Sequence, residues 1–179
     1  MDDVARELGI SKKTLYEFFT DKADLVMKIL QFQISKIQTV FNEDLNPGTN
    51  AIDHLFEISQ LITSFFKNFS PTVHYDLQKY YPEVFQSFFE YKRDLMYKSV
   101  IINLNRGIKE GLYRSDINPD LIAHIYISRI EAFLFTSSLS GKEYTTNELF
   151  NEMFSYHIHG IASKKGIDYF EKKIGHANM

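Results

Sequence analysis

The sequence predicts an all-α chain of roughly eight or nine helices, a small N-terminal helix-turn-helix module followed by a helical bundle. Three observations carry this expectation. Apolar residues recur at spacings of three and four through most of the chain, and no convincing run alternates with period two. Gly 8 and Pro 4 in 179 residues are too few for a loop-rich all-β protein. Where the helical pattern breaks, it breaks at glycine or at a capping residue followed by proline.

The first helix opens near Asp2, with Val4, Ala5 and Leu8 at helical spacing, and stops at Gly9, which suits the left-handed position just past a helix end. Ser11 then caps the second helix by accepting from a free backbone N–H two or three residues on. Leu15, Phe18 and Phe19 give that helix an inner face, and Lys12, Lys13, Thr14 and Tyr16 are left outward. Two short helices joined by a tight turn are the plan in which the second enters the major groove of DNA. An ordinary helical hairpin fits the same periodicity.

Asp21 caps a third helix with Asp24 in its first turn, and Val26, Leu30, Ile34, Ile37 and Phe41 carry it to about Asn42. Leu45 to Asn50, with Pro47-Gly48, is the clearest break, so a module with its connecting helix is expected over 1–43 and a separate body over 44–179. From Ala51 to Phe69 a wide apolar stripe predicts a helix buried on more than one side. Ser70-Pro71 opens a short helix through Tyr80, and Pro82 forces a new start for a long one ending at Gly111. Asn118-Pro119-Asp120 starts a helix running towards Gly141. Thr145-Thr146-Asn147-Glu148 is a capping box for the last long helix, expected to fade near Gly166 with a frayed turn in Asp168 to Met179.

Composition bounds the function. The net charge of -3 argues against nonspecific coating of nucleic acid, which needs a broad basic surface. In residues 1–36, Arg6, Lys12, Lys13, Lys22, Lys28 and Lys36 balance Asp2, Asp3, Glu7, Glu17, Asp21 and Asp24, so any DNA contact must be local. With Cys 0 there is no disulfide framework and no thiolate metal site, which fits a cytoplasmic protein. No signal peptide opens the chain and no run approaches the length of a membrane span, so no membrane partner is expected.

Catalysis and metal binding find no support. His157 and His159 are two apart, which on a helix points them about 200 degrees from each other. There is no HExxH or Glu-x-x-His pair, and Ser137, Ser138 and Ser140 precede Gly141 without a Gly-x-Ser-x-Gly turn. Neither an enzyme nor a cofactor is expected.

The order of residues in the opening stretch is more telling than its periodicity. Ala5-x-x-Leu8-Gly9-Ile10-Ser11-Lys12-x-Thr14-Leu15-Tyr16-x-Phe18-Phe19-x-Asp21-Lys22-x-x-Leu25 closely resembles the DNA-binding signature of the TetR family of bacterial transcriptional repressors. A weaker likeness runs from Asn105-Arg106-Gly107 through Gly111 to Asp116-Ile117-Asn118-Pro119. The resemblance implies a DNA-binding module followed by a body that binds a small-molecule effector and forms a homodimer, with double-stranded operator DNA as the partner. It further implies DNA contacts from Ser11, Lys12, Lys13, Thr14 and Tyr16, and a phosphate contact from Lys22 at the start of its helix.

In the body, Phe65, Phe66, Phe69, Tyr75, Tyr80, Tyr81, Phe85, Phe88, Phe89 and Tyr91 cluster in two adjacent helices and their connection. Such a stripe suits a packed core, while its tyrosines favour a cavity, since a buried hydroxyl needs a partner. The resemblance implies an effector pocket here, drawing on Phe65, Phe69, Tyr80, Phe85, Phe88 and Phe89 with His124, Tyr126 and Arg129 as polar contributors and His74 beside them. The last two long helices, with apolar residues on more than one face and Gly160 for close approach, are the expected dimer surface.

One departure qualifies the resemblance. The family places another amphipathic helix before the one that opens here near Asp2, so Leu8, Ile10, Leu15, Phe18 and Phe19 are expected to lack a lid. That forfeits on the order of 5 kcal/mol of burial. The expectation is therefore either an internal start within a longer protein, whose extended form binds operator DNA better, or a degraded module. Asp2 to Phe19 is then the least well-ordered helical part. The rival reading is a helical ligand-binding or interaction protein whose DNA-binding module is vestigial.

Overall fold

The computed structural model is all-α: its described residues, 1–42, 48–67, 71–135 and 145–177, form nine helices and no strand. In order these are α1 (Asp2–Glu7), α2 (Lys12–Phe18), α3 (Lys22–Asn42), α4 (Ala51–Lys67), α5 (Pro71–Tyr80), α6 (Pro82–Lys109), α7 (Pro119–Phe135), α8 (Thr146–Ile161) and α9 (Lys164–Ala177). The expected ends of the fourth helix at Phe69 and of the seventh towards Gly141 lie outside the described residues. The chain divides into two compact units, Met1–Thr39 with Ser70–Lys92, and Val40–Phe69 with Arg93–Met179.

In the first unit, α1 ends in a left-handed turn. Gly9 takes φ 66 while the Ile10 and Gly9 N–H groups donate back to the carbonyls of Ala5 and Arg6, at 3.0 and 3.1 Å. This double closure is the Schellman arrangement, which satisfies carbonyls that a helix end otherwise leaves open. Ser11 caps α2 from extended backbone, its hydroxyl accepting from the Thr14 N–H at 3.0 Å. Asp21 accepts from the Asp24 N–H at 2.8 Å, while the Asp24 carboxylate accepts from the Thr20 N–H at 2.9 Å, a reciprocal cap on α3.

Of the five apolar residues expected to lack a lid, Leu15 is buried and Phe19 half-buried, whereas Leu8, Ile10 and Phe18 are 60%, 38% and 66% exposed. The loss of burial is thus partial: Leu15 of α2 is turned inward, and Ala5 of α1 and Leu25 of α3 are buried as well. The segment from Asp2 to Phe18 forms two helices, α1 without a side-chain cap at its start and α2 capped by Ser11.

The core of the second unit is one cluster. Ala51, Ile52, Leu55 and Ile58 of α4 meet Met96, Val100 and Leu104 of α6, Ala123, Tyr126, Ile127 and Ile130 of α7, and Phe154, Ile158 and Ile161 of α8. The spacings of three and four on each helix are what put these residues on one face. At the start of α4 the Ala51 N–H donates to the carboxylate of Glu110 at 2.8 Å, while Arg106 binds both that carboxylate and the Thr49 carbonyl.

The C-terminal end corrects the sequence expectation. The last long helix does not fade near Gly166; α8 ends at Ile161 and α9 is a full helix. The cause is a crossing of extended backbone, in which Ala162 forms an antiparallel bridge with Tyr113. The Arg114 N–H donates to the Ile161 carbonyl at 2.9 Å and the Ser163 N–H to the Leu112 carbonyl at 2.8 Å. Ser163 then caps α9, its hydroxyl accepting from the Gly166 N–H at 3.2 Å and donating to the Gly111 carbonyl at 2.6 Å. Phe170 of α9 packs into the core, and Tyr169 and Lys173 both bind Asp53 of α4.

Candidate functional site

The expected DNA-facing residues sit at the start of α2 and α3. Lys12, Lys13 and Tyr16 are exposed on α2, Tyr16 at 44%. Ser11 and Thr14 are hydrogen-bonded through their hydroxyls at 2.8 Å, so the two share the capping of the helix start. Lys22 lies over the ring of Tyr81, 5.8 Å from its centroid. Lys28, which sequence reasoning passed over, ties α2 to α3: its ammonium donates to the Phe18 carbonyl and to Asp24, both at 3.0 Å, and lies 5.3 Å from the centre of the Phe19 ring.

The charges at this surface are paired from within. Lys12 contacts both carboxylate oxygens of Asp2, at 2.9 and 3.1 Å, and Arg6 binds Asp3 at 2.6 Å. The hydrogen bond and charge of Lys12 hold the Asp2 carboxyl below its usual range, and Asp2 raises Lys12 in return. Asp24 is likewise lowered, first by the Thr20 N–H and then by Lys28.

The residues expected around an effector divide between the two units. In the first unit, Phe85, Phe88 and Phe89 line one side of α6, and the His74 ring meets Phe85 and Phe89 edge-on at 5.0 and 5.7 Å. Lys92 is buried, with its ammonium 4.9 Å from the centre of the Phe89 ring, and burial, helped by the Lys92 charge, lowers the pKa of His74. Tyr80 is 61% exposed beneath Lys79. Phe69 and the side chain of Phe65 lie outside the described residues.

In the second unit, Tyr126 is buried with its hydroxyl 2.6 Å from the Ser59 hydroxyl. Ser59 gives its single proton to the Leu55 carbonyl, so Tyr126 is the donor to Ser59. Burial raises Tyr126 to about 12. The His157 ring stacks on Tyr126 with centroids 4.2 Å apart, and its buried Nε2 has no hydrogen-bond partner among the described residues. Burial, helped by the Arg129 charge, lowers His157 to about 3, so this imidazole is neutral. Arg129 lies 4.8 Å from the centre of the exposed Tyr156 ring. The Tyr126 ring and the Arg129 charge thus both act on His157, a residue weighed in the sequence for a metal or catalytic role.

His124 is placed elsewhere, on the exposed side of α7, where its Nδ1 donates to the Asp120 carbonyl at 2.9 Å and its ring meets Tyr97 edge-on. A further buried polar set went unread in the sequence. Asn103 donates to the Ala51 carbonyl at 2.8 Å, sits 3.3 Å from Nδ1 of His54, and accepts from the Tyr113 hydroxyl at 3.0 Å. Burial and Arg106 lower His54 to about 4. Among the described residues no group of three or more histidine and acidic side chains is arranged to hold a metal ion, and no helix is long and apolar enough to cross a membrane.

The family model for bacterial regulatory proteins of the tetR family matches residues 1–29. An uncharacterized HTH-type transcriptional regulator of Bacillus subtilis, YvaF, is 21% identical over 169 residues, covering 94% of this chain and 88% of that protein. The fold is similar to that of Escherichia coli NemR in its reduced form (TM-score 0.68, 12% identity, 91% of this chain and 86% of that one). It is also similar to a transcriptional regulator from Saccharomonospora viridis solved in complex with choline (TM-score 0.67, 18% identity, 91% and 86%). A third likeness is to the regulatory protein TetR from Rhodobacter sphaeroides (TM-score 0.68, 11% identity, 89% and 86%). Residues 1–29 thus match the tetR family of bacterial regulatory proteins, and a relative similar along nearly its whole length and a shared all-α architecture join that match in support of a TetR family regulator.

Proposed function

We propose that the chain is a cytoplasmic homodimeric repressor that binds operator DNA through α2 and is released by a small-molecule effector bound in the helical body, with the DNA-binding module over 1–43 and the effector and dimer body over 44–179. The single observation that carries the DNA reading is the outer side of α2, where Lys12, Lys13 and Tyr16 stand exposed on a helix whose start is fixed by the Ser11 and Thr14 hydroxyls. Ser11, Thr14 and Lys22 join these three as the DNA-contacting set.

The effector reading is supported by a polar group inside an apolar body, with Tyr126, Arg129 and the Nε2 of neutral His157, which has no hydrogen-bond partner among the described residues. Of the other residues expected at a pocket, Phe85, Phe88 and Phe89 form an aromatic group of their own within the first unit, Tyr80 and His124 are exposed, and Phe65 and Phe69 keep their place as expectations from the sequence. An effector that favours one dimer geometry lowers DNA affinity by its differential affinity for the two states. The dimer reading is supported by exposed Leu121 and Ile125 one turn apart on α7, with exposed Tyr156 and Gly160 on α8.

The test is Tyr16→Ala. Operator binding, read by gel retardation with DNA flanking the gene, is expected to fall at least about tenfold, the order of one lost contact set. The dimer mass in sedimentation should be unchanged. Retained tight binding counts against the role given to α2.

A further inference from the structure

We propose that the recognition helix is screened from within: Asp2 holds Lys12 in an ion pair that competes with DNA phosphate, so this carboxylate sets the DNA affinity of the module. The proposal rests on the DNA-binding reading above and names a device that acts on it. Asp2 is the first residue of α1 and Lys12 the first of α2, and the turn at Gly9 folds the two helices so that these starting residues meet. Both oxygens of the carboxylate face the one ammonium, at 2.9 and 3.1 Å.

The side chains of this pair are 51% and 76% exposed, so the contact contributes little to folding. Its consequence lies in what Lys12 can offer a partner. Arg6 is taken by Asp3 in the same way, at 2.6 Å, which leaves Lys13 as the cation of α1 and α2 without an ion pair among the described residues. A lysine that carries its own carboxylate releases fewer counterions on meeting a phosphate. Any phosphate that reaches Lys12 also comes within about 8 to 10 Å of Asp2, inside the range over which like charges repel at ordinary salt. DNA must therefore displace Asp2 before Lys12 contributes, and the carboxylate acts through that lysine as a positioning residue.

The experiment titrates the full chain against a fluorescently labelled duplex of arbitrary sequence at low salt, and again across a salt series. Asp2→Asn is expected to tighten binding about 3- to 10-fold and to steepen the slope of log affinity against log salt by about one for each Lys12 freed. Asp2→Glu, which keeps the charge, is expected to retain the original affinity. In a Lys12→Ala background the gain from Asp2→Asn should largely vanish. An affinity unchanged or weakened by Asp2→Asn, or an equal gain in both backgrounds, overturns the screening proposal and leaves the DNA-binding reading standing. Failure of every variant, the original chain included, to bind any duplex overturns both.

Discussion

His157 shows how one side chain couples the body to pH. Folded, its imidazole stays neutral down to about pH 3 because it is buried beside Tyr126 and feels the Arg129 charge; unfolded, it protonates near 6.5. Between those values the unfolded chain binds more protons, so stability rises with pH up to about 6.5 and is flat above. Each such group contributes up to about 1.4 kcal/mol per pH unit inside the window. His54, lowered to about 4 for the same reasons of burial and a nearby arginine, acts in parallel over a narrower window. His157→Phe keeps a ring against Tyr126 and removes the titration. Thermal melts followed by circular dichroism at pH 7.5 and pH 5 are expected to show a clearly smaller loss on acidification in this variant than in the original chain. An undiminished loss would mean that His157 is already charged when folded.

Among the elements, α9 depends on a contact that a single methyl group would spoil. Gly166 lies in the first turn of α9 against the Leu112 backbone, and an added Cβ would overlap the Leu112 carbonyl. That carbonyl accepts from the Ser163 N–H and so has no freedom to retreat. Replacing a helical glycine by alanine ordinarily stabilises by up to about 1 kcal/mol. Here Gly166→Ala is expected to destabilise by about 1 to 3 kcal/mol, the range of overpacking, in urea titrations.

The same end of the chain shows what the sequence made legible. Signals confined to a few neighbouring residues could be read. Gly9 with Ser11, Asn118 before Pro119, and the Thr145 and Glu148 box each act within one turn, and each stands at a helix boundary in the structure. Ser163 was missed because its capping role follows from a crossing with Gly111 to Arg114, 52 residues from Gly111. In the candidate site, the capped α2 with its outward lysines was legible from local spacing. The Asp2 and Lys12 pair was not, since it needs the turn between them to close. Periodicity placed His157 and His159 on opposite sides of α8 but could not say which side faced Tyr126, and α7 carries the same ambiguity for His124 and Arg129.

For the whole molecule, a chain of net charge -3 cannot rely on diffuse attraction to DNA, and two copies would double the few lysines that a single α2 offers. Self-association through α7 and α8 is then the property on which the regulator reading turns. Ile125 is 54% exposed, so a charge there leaves the single chain intact. Ile125→Glu is expected to shift sedimentation from dimer to monomer and to weaken operator binding at least about tenfold, while the helical signal stays unchanged. A dimer that survives this variant places the association elsewhere.

The bridge between Tyr113 and Ala162 bears on the time course of opening as well as on architecture. It joins the end of α6 to the junction of α8 and α9, with Tyr113 and Ala162 both buried and the amides of Arg114 and Ser163 donating across the crossing. Those amides cannot be freed by fraying at a helix end; three helices must separate first. In native-state hydrogen exchange, Arg114 and Ser163, though outside every helix, are expected to rank with the core of α4 among the slowest amides, and fast exchange there would show that the crossing opens on its own.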